Sequence, residues 1–567
     1  MIFKDIKKSN LLIVILIFIG AFLPFLMSIN NQFISDDWNF LDLVASQEKP
    51  IIDNFSLNTF GERGEGSYRP MVNIFWVINY RLWRLNSFGF HLSSLFFHAL
   101  SAVLIFFLVK ESRLFGVKDK ERKLVAILSS LVFITWPSHA VAGCWISVVN
   151  DTMMTTFVLL SWYLLLKAQR VSSKLFYFIS ILFFILAVFT KEMSVTVPFL
   201  MFFWVFVENR LFGLNWKNFF KTFYLVLPYF LVLVIYFWLR FWVTGFVFSN
   251  YVHGGANFTL KMFWHSVAGN ISSLFLSGEI KNFVLYQLFN YPLKFGIIIL
   301  IALVILALFS IKRRSGLVNW MLLGFLIFSL LPIVRFAANY TGHYFSAEGE
   351  RFVYFPSVFA ALLAGILLRN LYIFLAKYKY LKYLWSALVP LILFTLCSQL
   401  VNKNFYWKES SKVANNLIDD WKNVEESNGY FVVGVPDNYH GSFVFRNGLE
   451  SALYLKYGLD KKSLLVTRNR TLFSSREKFD LERITKKDFV YKQESVGNYL
   501  IAGEVEVSSF DYNSVLNDPH KEVFSIAYQN FSSSTDIHLS DEFIKYNIDN
   551  KISMVFFNGF NWNSFDL

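Results

Sequence analysis

Two cysteines in 567 residues are too few for a disulfide scaffold. Cys397 lies inside an apolar run and Cys144 at the end of another, which argues against a bridge between them. Charge is scarce as well. Asp, Glu, Lys and Arg make up 16% of the chain, against roughly 25% in a soluble domain, so the chain is not soluble throughout. No GxxxxGKS or GxxxxGKT phosphate loop occurs, and no repeat of 20–50 residues is visible. An ATP-driven pump and a solenoid are therefore poor fits. What is abundant is apolar surface: 55% hydrophobic residues, 19% aromatics, 67 of them Phe, and a mean hydropathy of +0.45. These figures exclude disorder, collagen and coiled coil.

The net charge of +13 admits nucleic acid or a membrane as partner, and its distribution decides between them. From Asn402 onward there are 19 Lys/Arg and 23 Asp/Glu, a net of −4; the first 401 residues hold 34 and 17, a net of +17. A membrane helix needs about 20 mostly apolar residues. Eleven candidate spans meet or approach this: 11–29, 90–109, 124–136, 148–166, 175–190, 194–207, 222–243, 292–311, 317–334, 352–376 and 383–401, with 124–136 and 194–207 the shortest. The first reads as a retained anchor preceded by Lys4, Lys7 and Lys8. With the N-terminus inside, the cytosolic segments carry 22 Lys/Arg and five Asp/Glu, and the rest of the body is balanced at 12 of each. That asymmetry is the positive-inside signature. It predicts an integral membrane protein with a cytosolic N-terminus and an extracytoplasmic C-terminal part, and it argues against nucleic acid as a partner.

Two long outer segments, 30–89 and 244–291, interrupt the spans, the second with an amphipathic stretch around Leu260–Leu276. The tail, 402–567, opens with a helical stretch through Trp407 and Trp421. A strand-like run, Tyr430–Val435, follows, closed by a turn at Pro436-Asp437-Asn438; alternation near 499–507 and 522–528 also reads as strand. The expected domains are a membrane body, 1–401, and an extracytoplasmic α/β domain, 402–567.

Several polar groups stand out. Asp36-Asp37-Trp38 follows the first span directly, as either a general base or cation site or a solvated loop start. Lys191-Glu192 joins two spans without room to leave the membrane surface. It reads as a site for an anionic headgroup, the alternative being a mutual ion pair capping two helices. Arg240, Arg335 and Arg351 fall at the outer ends of three spans. One such Arg is an interfacial anchor; three at one depth with Lys191 suggest an anion site, because the guanidinium fork suits phosphate. Tyr354 and His343 are close enough in sequence to add donors. His91 and His98 share a helix face, and His139 follows Trp136-Pro137, so a metal site and plain packing are both open. Asn150-Asp151 opens a span as a polar pair.

Taken in order, these residues resemble the GT-C class of membrane glycosyltransferases. The series runs from Asp36-Asp37 in the first outer loop through Arg69-Pro70, Phe90-His91 and His98 to Trp136-Pro137-Ser138-His139-Ala140-Val141. It continues with Lys191-Glu192 before Pro198 and ends with Glu350-Arg351-Phe352-Val353-Tyr354-Phe355-Pro356-Ser357. Over roughly 10–370 it is similar to bacterial glycosyltransferase family 39 and to the TPR-containing O-mannosyltransferases of the endoplasmic reticulum, although no tandem helical repeats follow the last span here. The resemblance implies a GT-C-like α-helical polytopic fold with about eleven transmembrane helices, in a bacterial or archaeal cell membrane. It implies transfer, with inversion, of a sugar from a polyprenyl-phosphate carrier to a hydroxyl acceptor on the outer face, Asp36 or Asp37 being the base. The acceptor is expected to be protein Ser/Thr, the alternatives being a lipid or surface polysaccharide; a lipid or glycan transporter without catalysis is the competing class. Lys191, Arg240, Arg335, Arg351 and Tyr354 are the candidates for the donor phosphate, with Arg69, His91, His139, Glu192, His343 and Glu350 in support. No cofactor is required by the sequence; a divalent cation is left open.

Overall fold

Long apolar runs without hydrogen-bonding alternatives leave the backbone one solution in a bilayer, the helix, and the first part of the chain takes it. The computed structural model describes residues 8–46, 51–64, 66–116, 118–210, 216–247, 260–276, 284, 314–333, 347–378, 380–466, 470–473, 479–485, 487–493, 499–501, 524–526, 534–539, 552–558 and 561–566. The chain divides into two compact units, one of Met1–Ile29 with Glu48–Asn404, the other of Asn30–Gln47 with Phe405–Leu567.

The first unit is helical. Among the described residues six helices are long and apolar enough to cross a membrane: Ser87–Glu111, Ile146–Val171, Trp216–Thr244, Gly316–Ile333, Gly349–Leu375 and Tyr383–Asn423, the last of which ends in the second unit. The chain is an integral membrane protein. Eleven spans are not reached among the described residues. The segments 11–29 and 175–190 form the shorter apolar helices Asn10–Phe25 and Lys174–Val188, 194–207 falls in the 14-residue Val197–Arg210, and 292–311 lies outside the described residues. The stretch 124–136 belongs to a broken element, Asp119–Ile134 followed by Pro137–Cys144 at 51°. The cause of the break is local: Trp136 is extended (φ −69°, ψ 123°) ahead of Pro137, which disfavours helix in the residue before it. Counting that pair as one span makes seven.

Small residues let the helices approach. A Cβ on Gly365 would lie 2.1 Å from Ser129 Oγ, so the helices Tyr354–Leu375 and Asp119–Ile134 meet at a point only glycine admits. Ser161 Oγ donates across to the Ser180 carbonyl at 2.8 Å and Ser130 Oγ to that of Ala102 at 2.9 Å. These hydroxyls satisfy themselves against backbone where water is absent.

The second unit mixes helix and strand. Gly429–Val433, apolar and buried along its length, pairs in parallel with Ile552–Phe557 and Leu464–Val466, and Trp562–Asp566 adds antiparallel at the edge. A second sheet orders Phe479–Arg483, Asp488–Gln493, Ser534–Leu539 and Phe524–Ile526; a third orders Ser442–Phe443, Pro436–Tyr439, Arg470–Phe473 and Tyr499–Ile501. Pro436-Asp437-Asn438 was expected to close a strand as a turn. It forms a strand instead, because Gly434 (φ 74°) takes the bend and Pro436, at the first position of the new strand, is where a missing N–H is tolerated.

Candidate functional site

The sequence neighbours Lys191 and Glu192 lie where the helix Lys174–Val188 ends and the short 3-10 turn Glu192–Thr196 begins. The Lys191 N–H closes the helix on the Ala187 carbonyl at 3.1 Å, its own backbone is extended, and the two side chains part. Lys191 Nζ donates to Asp151 Oδ1 at 2.7 Å and Oδ2 at 2.6 Å. Glu192 receives the guanidinium of Arg69, Nε on Oε2 at 2.8 Å and Nη2 on Oε1, a two-pronged pair. Lys191 and Glu192 thus do not form the mutual ion pair that was one of the two expected alternatives; each is paired from a different element. Arg69 precedes Pro70, whose fixed φ starts the helix Pro70–Trp83, and Asp151 lies in the first turn of Val149–Val171.

Around this crossing the fold gathers further cations. Arg240, on the last turns of Trp216–Thr244, is 2% exposed, with Nη1 donating to Tyr236 Oη at 3.3 Å, while its Nε and Nη2 find no partner among the described residues. The Arg351 guanidinium stacks 5.5 Å from the Trp145 ring centre and 4.8 Å from that of Phe352, over which Lys191 also sits at 5.5 Å. Next to it in sequence, Glu350 pairs with Lys403 at 2.6 Å.

The electrostatics follow from burial and from these neighbours. Burial works to raise the Glu192 carboxyl, but Arg69, then Arg240 and Lys191, outweigh it and hold the group far below the carboxylate range. Burial pulls the Lys191 ammonium down to about 8, with Asp151 opposing and Arg69 and Arg351 assisting. Lys191 and Asp151, 3% and 0% exposed, form an ion pair taken out of water, and removing one partner of such a pair costs about 3–5 kcal/mol. Among the described residues the cations Arg69, Lys191, Arg240 and Arg351 gather with the carboxylates Asp151 and Glu192. With two buried guanidinium nitrogens of Arg240 unspent among those residues, the arrangement can take an anion.

In the second unit Asp36 and Asp37 open a helix, Asp36–Ala45, rather than a loop. Two acids in a first turn face the positive end of the helix dipole. Asp37 is 1% exposed and its Oδ2 accepts the Ile34 N–H at 3.2 Å; Asp36 is half-buried, and its Oδ1 accepts the amide Nδ2 of Asn447.

The histidines read as packing groups. His91 Nδ1 donates to the Gly143 carbonyl at 3.2 Å; His98 Nδ1 shares a hydrogen bond with Tyr354 Oη at 2.8 Å, and His139 Nε2 one with Ser357 Oγ at 2.8 Å. Tyr354 thus spends its hydroxyl in a buried His–Tyr cluster. Among the described residues no group of three or more His, Cys, Asp or Glu side chains is placed to hold a metal ion. Arg335 and His343 lie outside the described residues. In the sequence Asp151 stands out only as half of the polar pair Asn150-Asp151. Its signal was its position, since an acid inside a membrane span marks a functional site by default. Asn447 carries no local signal at all.

No family model matches the chain. It is 24% identical over 198 residues to a protein O-mannosyl-transferase of Caenorhabditis elegans, a match covering 33% of this chain; the chain spans 27% of the length of that curated relative. Among solved structures it is similar to ArnT from Cupriavidus metallidurans bound to undecaprenyl phosphate, at 12% identity over 81% of this chain and 85% of that one, with a TM-score of 0.40. It is also similar to the archaeal oligosaccharyltransferase AglB from Archaeoglobus fulgidus in complex with an inhibitory peptide and a dolichol-phosphate, at 11% identity over 96% and 81%, with a TM-score of 0.42.

Proposed function

We propose that this chain is an inverting, hexosyltransferase-type glycosyltransferase of GT-C build, moving a sugar from a polyprenyl-phosphate carrier to a hydroxyl, foremost a protein Ser/Thr, on the extracytoplasmic face. The observation that carries the reading is the buried crossing of Lys191–Asp151 and Arg69–Glu192 beside Arg240, whose Nε and Nη2 are unpartnered among the described residues. It is an anion site set in an apolar helical unit, which suits a phosphate on a lipid. The similarity to a protein O-mannosyl-transferase supports the sugar and the protein acceptor. The full eleven-span topology, with the N-terminus cytosolic and the tail as an outer α/β domain, belongs to the same reading. Nucleotide sugars are cytosolic, so a lipid carrier supplies an outer-face enzyme without ATP.

In this mechanism an Asp36 or Asp37 carboxylate takes the proton of the acceptor hydroxyl. The freed oxygen forms a bond to the anomeric carbon through an oxocarbenium-like state, while the bond from that carbon to the phosphate oxygen breaks. Its electron pair leaves with the phosphate, which Lys191, Arg240 and Arg351, with Arg335, stabilise. Asp36→Asn or Asp37→Asn, whichever removes the base, is expected to abolish transfer at normal expression; full activity in both overturns the catalytic assignment. Glycoproteomics of a deletion strain tests the acceptor, since unchanged glycopeptides point to a lipid or polysaccharide instead.

A further inference from the structure

The residue before the acidic pair is strained. Ser35, not a glycine, sits at φ 46°, ψ −126°, a strained region that persists only where the surroundings over-determine it. Those surroundings come from one segment of the same unit. The Ser35 N–H donates to the Val444 carbonyl at 3.0 Å, and its Oγ donates to Asn447 Oδ1 at 2.9 Å. The neighbouring Gly448 (φ 83°) approaches so closely that a Cβ there would lie 2.4 Å from the Ser35 carbonyl oxygen. The other end of the Asn447 amide, Nδ2, donates to Asp36 Oδ1. Further along the helix, Ser451 Oγ donates to Asp42 Oδ2 at 2.9 Å and to Asn39 Oδ1 at 3.1 Å, and Lys461 pairs with Asp42.

One amide therefore holds both the strained turn and the first acid. We propose that Asn447 is a positioning residue for Asp36, and that Asp36, not Asp37, is the reacting carboxylate. Asp37 lies buried against its own chain, bonded to the Ile34 N–H, whereas the rotation of the Asp36 carboxylate is set from a segment 411 positions away. The proposal rests on the glycosyltransferase reading.

The test compares two Asn447 variants in the full-length, detergent-purified protein, with rates referred to the monodisperse folded fraction. Asn447→Asp is isosteric and keeps an acceptor for Ser35, but sets a like charge against Asp36. Asn447→Ala opens a cavity and removes both bonds. If the residue positions Asp36, Asn447→Asp lowers kcat the more, by about 100-fold, with the donor KM within about twofold of the native value. If it only fills space, Asn447→Ala is the worse of the two and the loss follows the folded fraction; that order overturns the proposal. Ser451→Ala, which loosens the same helix without touching Asp36, keeps kcat within about twofold. Asp36→Asn separates the two levels. If it is inactive while Asn447→Asp turns over at the native rate, positioning fails and the function stands; if Asp36→Asn is itself active, the acid assignment fails first.

Discussion

Lys191 donates to both oxygens of Asp151, at 2.7 and 2.6 Å, although Glu192 adjoins it in sequence. The pairing ties the connection between two apolar helices to a third and leaves Glu192 for Arg69. Each carboxylate neutralises a cation that a bound anion would otherwise have to share, so the donors on Arg240 that are unspent among the described residues gain weight.

Replacing one partner of the pair exposes its cost. Lys191→Met leaves Asp151 buried and uncompensated and is expected to lower unfolding stability by about 3–5 kcal/mol, whereas Lys191→Met with Asp151→Leu recovers most of it. Thermal unfolding in detergent measures both. On the proposed function, transfer is expected to stay lost in the double variant, which lacks the Lys191 ammonium. A double variant no more stable than the single would show that the two side chains are not coupled.

The Lys191 ammonium is lost as pH rises through about 8 rather than near 10.5, so donor turnover is expected to fall above about pH 8. A pH–rate profile measures it, and a rate flat to pH 10 opposes the assignment.

On the proposed function, Arg240 meets the donor phosphate as a fork and not as a point charge. Arg240→Lys keeps the charge but removes the guanidinium geometry, and the donor KM is expected to rise about 10–100-fold, the worth of one charge-assisted hydrogen bond. Stability is expected to hold or improve, because a buried, half-satisfied guanidinium is costly to keep. A KM unchanged alongside a lower unfolding midpoint would make Arg240 structural.

Gly448→Ala tests the strained turn from the other side. Its φ of 83° and the close Ser35 carbonyl make the substitution cost roughly 1–3 kcal/mol. A fall in kcat per folded molecule is expected with it, because the turn carries the acid. Calorimetry or denaturant unfolding with a parallel rate assay separates the two effects.

The membrane helices were legible because hydropathy is a local property. Spans expected at 90–109, 148–166, 222–243, 317–334, 352–376 and 383–401 coincide with long apolar helices. The break at Trp136-Pro137 was legible as a motif but not as a bend. Lys191, Arg240 and Arg351 could be singled out singly, since charges near an apolar run are conspicuous. Their partners could not: the Asp151 contact depends on how two helices pack, and Asn447 is one of many polar residues in a polar tail. Pro436 misled for a related reason, because a turn residue and a strand-opening residue look alike until the pairing strand is known.

The acidic helix and the amide that holds it are 411 positions apart in the chain. At about 5–20 residues per second of synthesis, Asp36 leaves the ribosome roughly 20–80 seconds before Asn447 exists. The acid is thus among the first groups made and among the last to be set. On the assignment above, a nascent chain already inserted in the bilayer holds its acid but not the group that aims it. Transfer then begins only once the chain has been made through Asn447, and a product truncated before that residue is silent rather than unregulated.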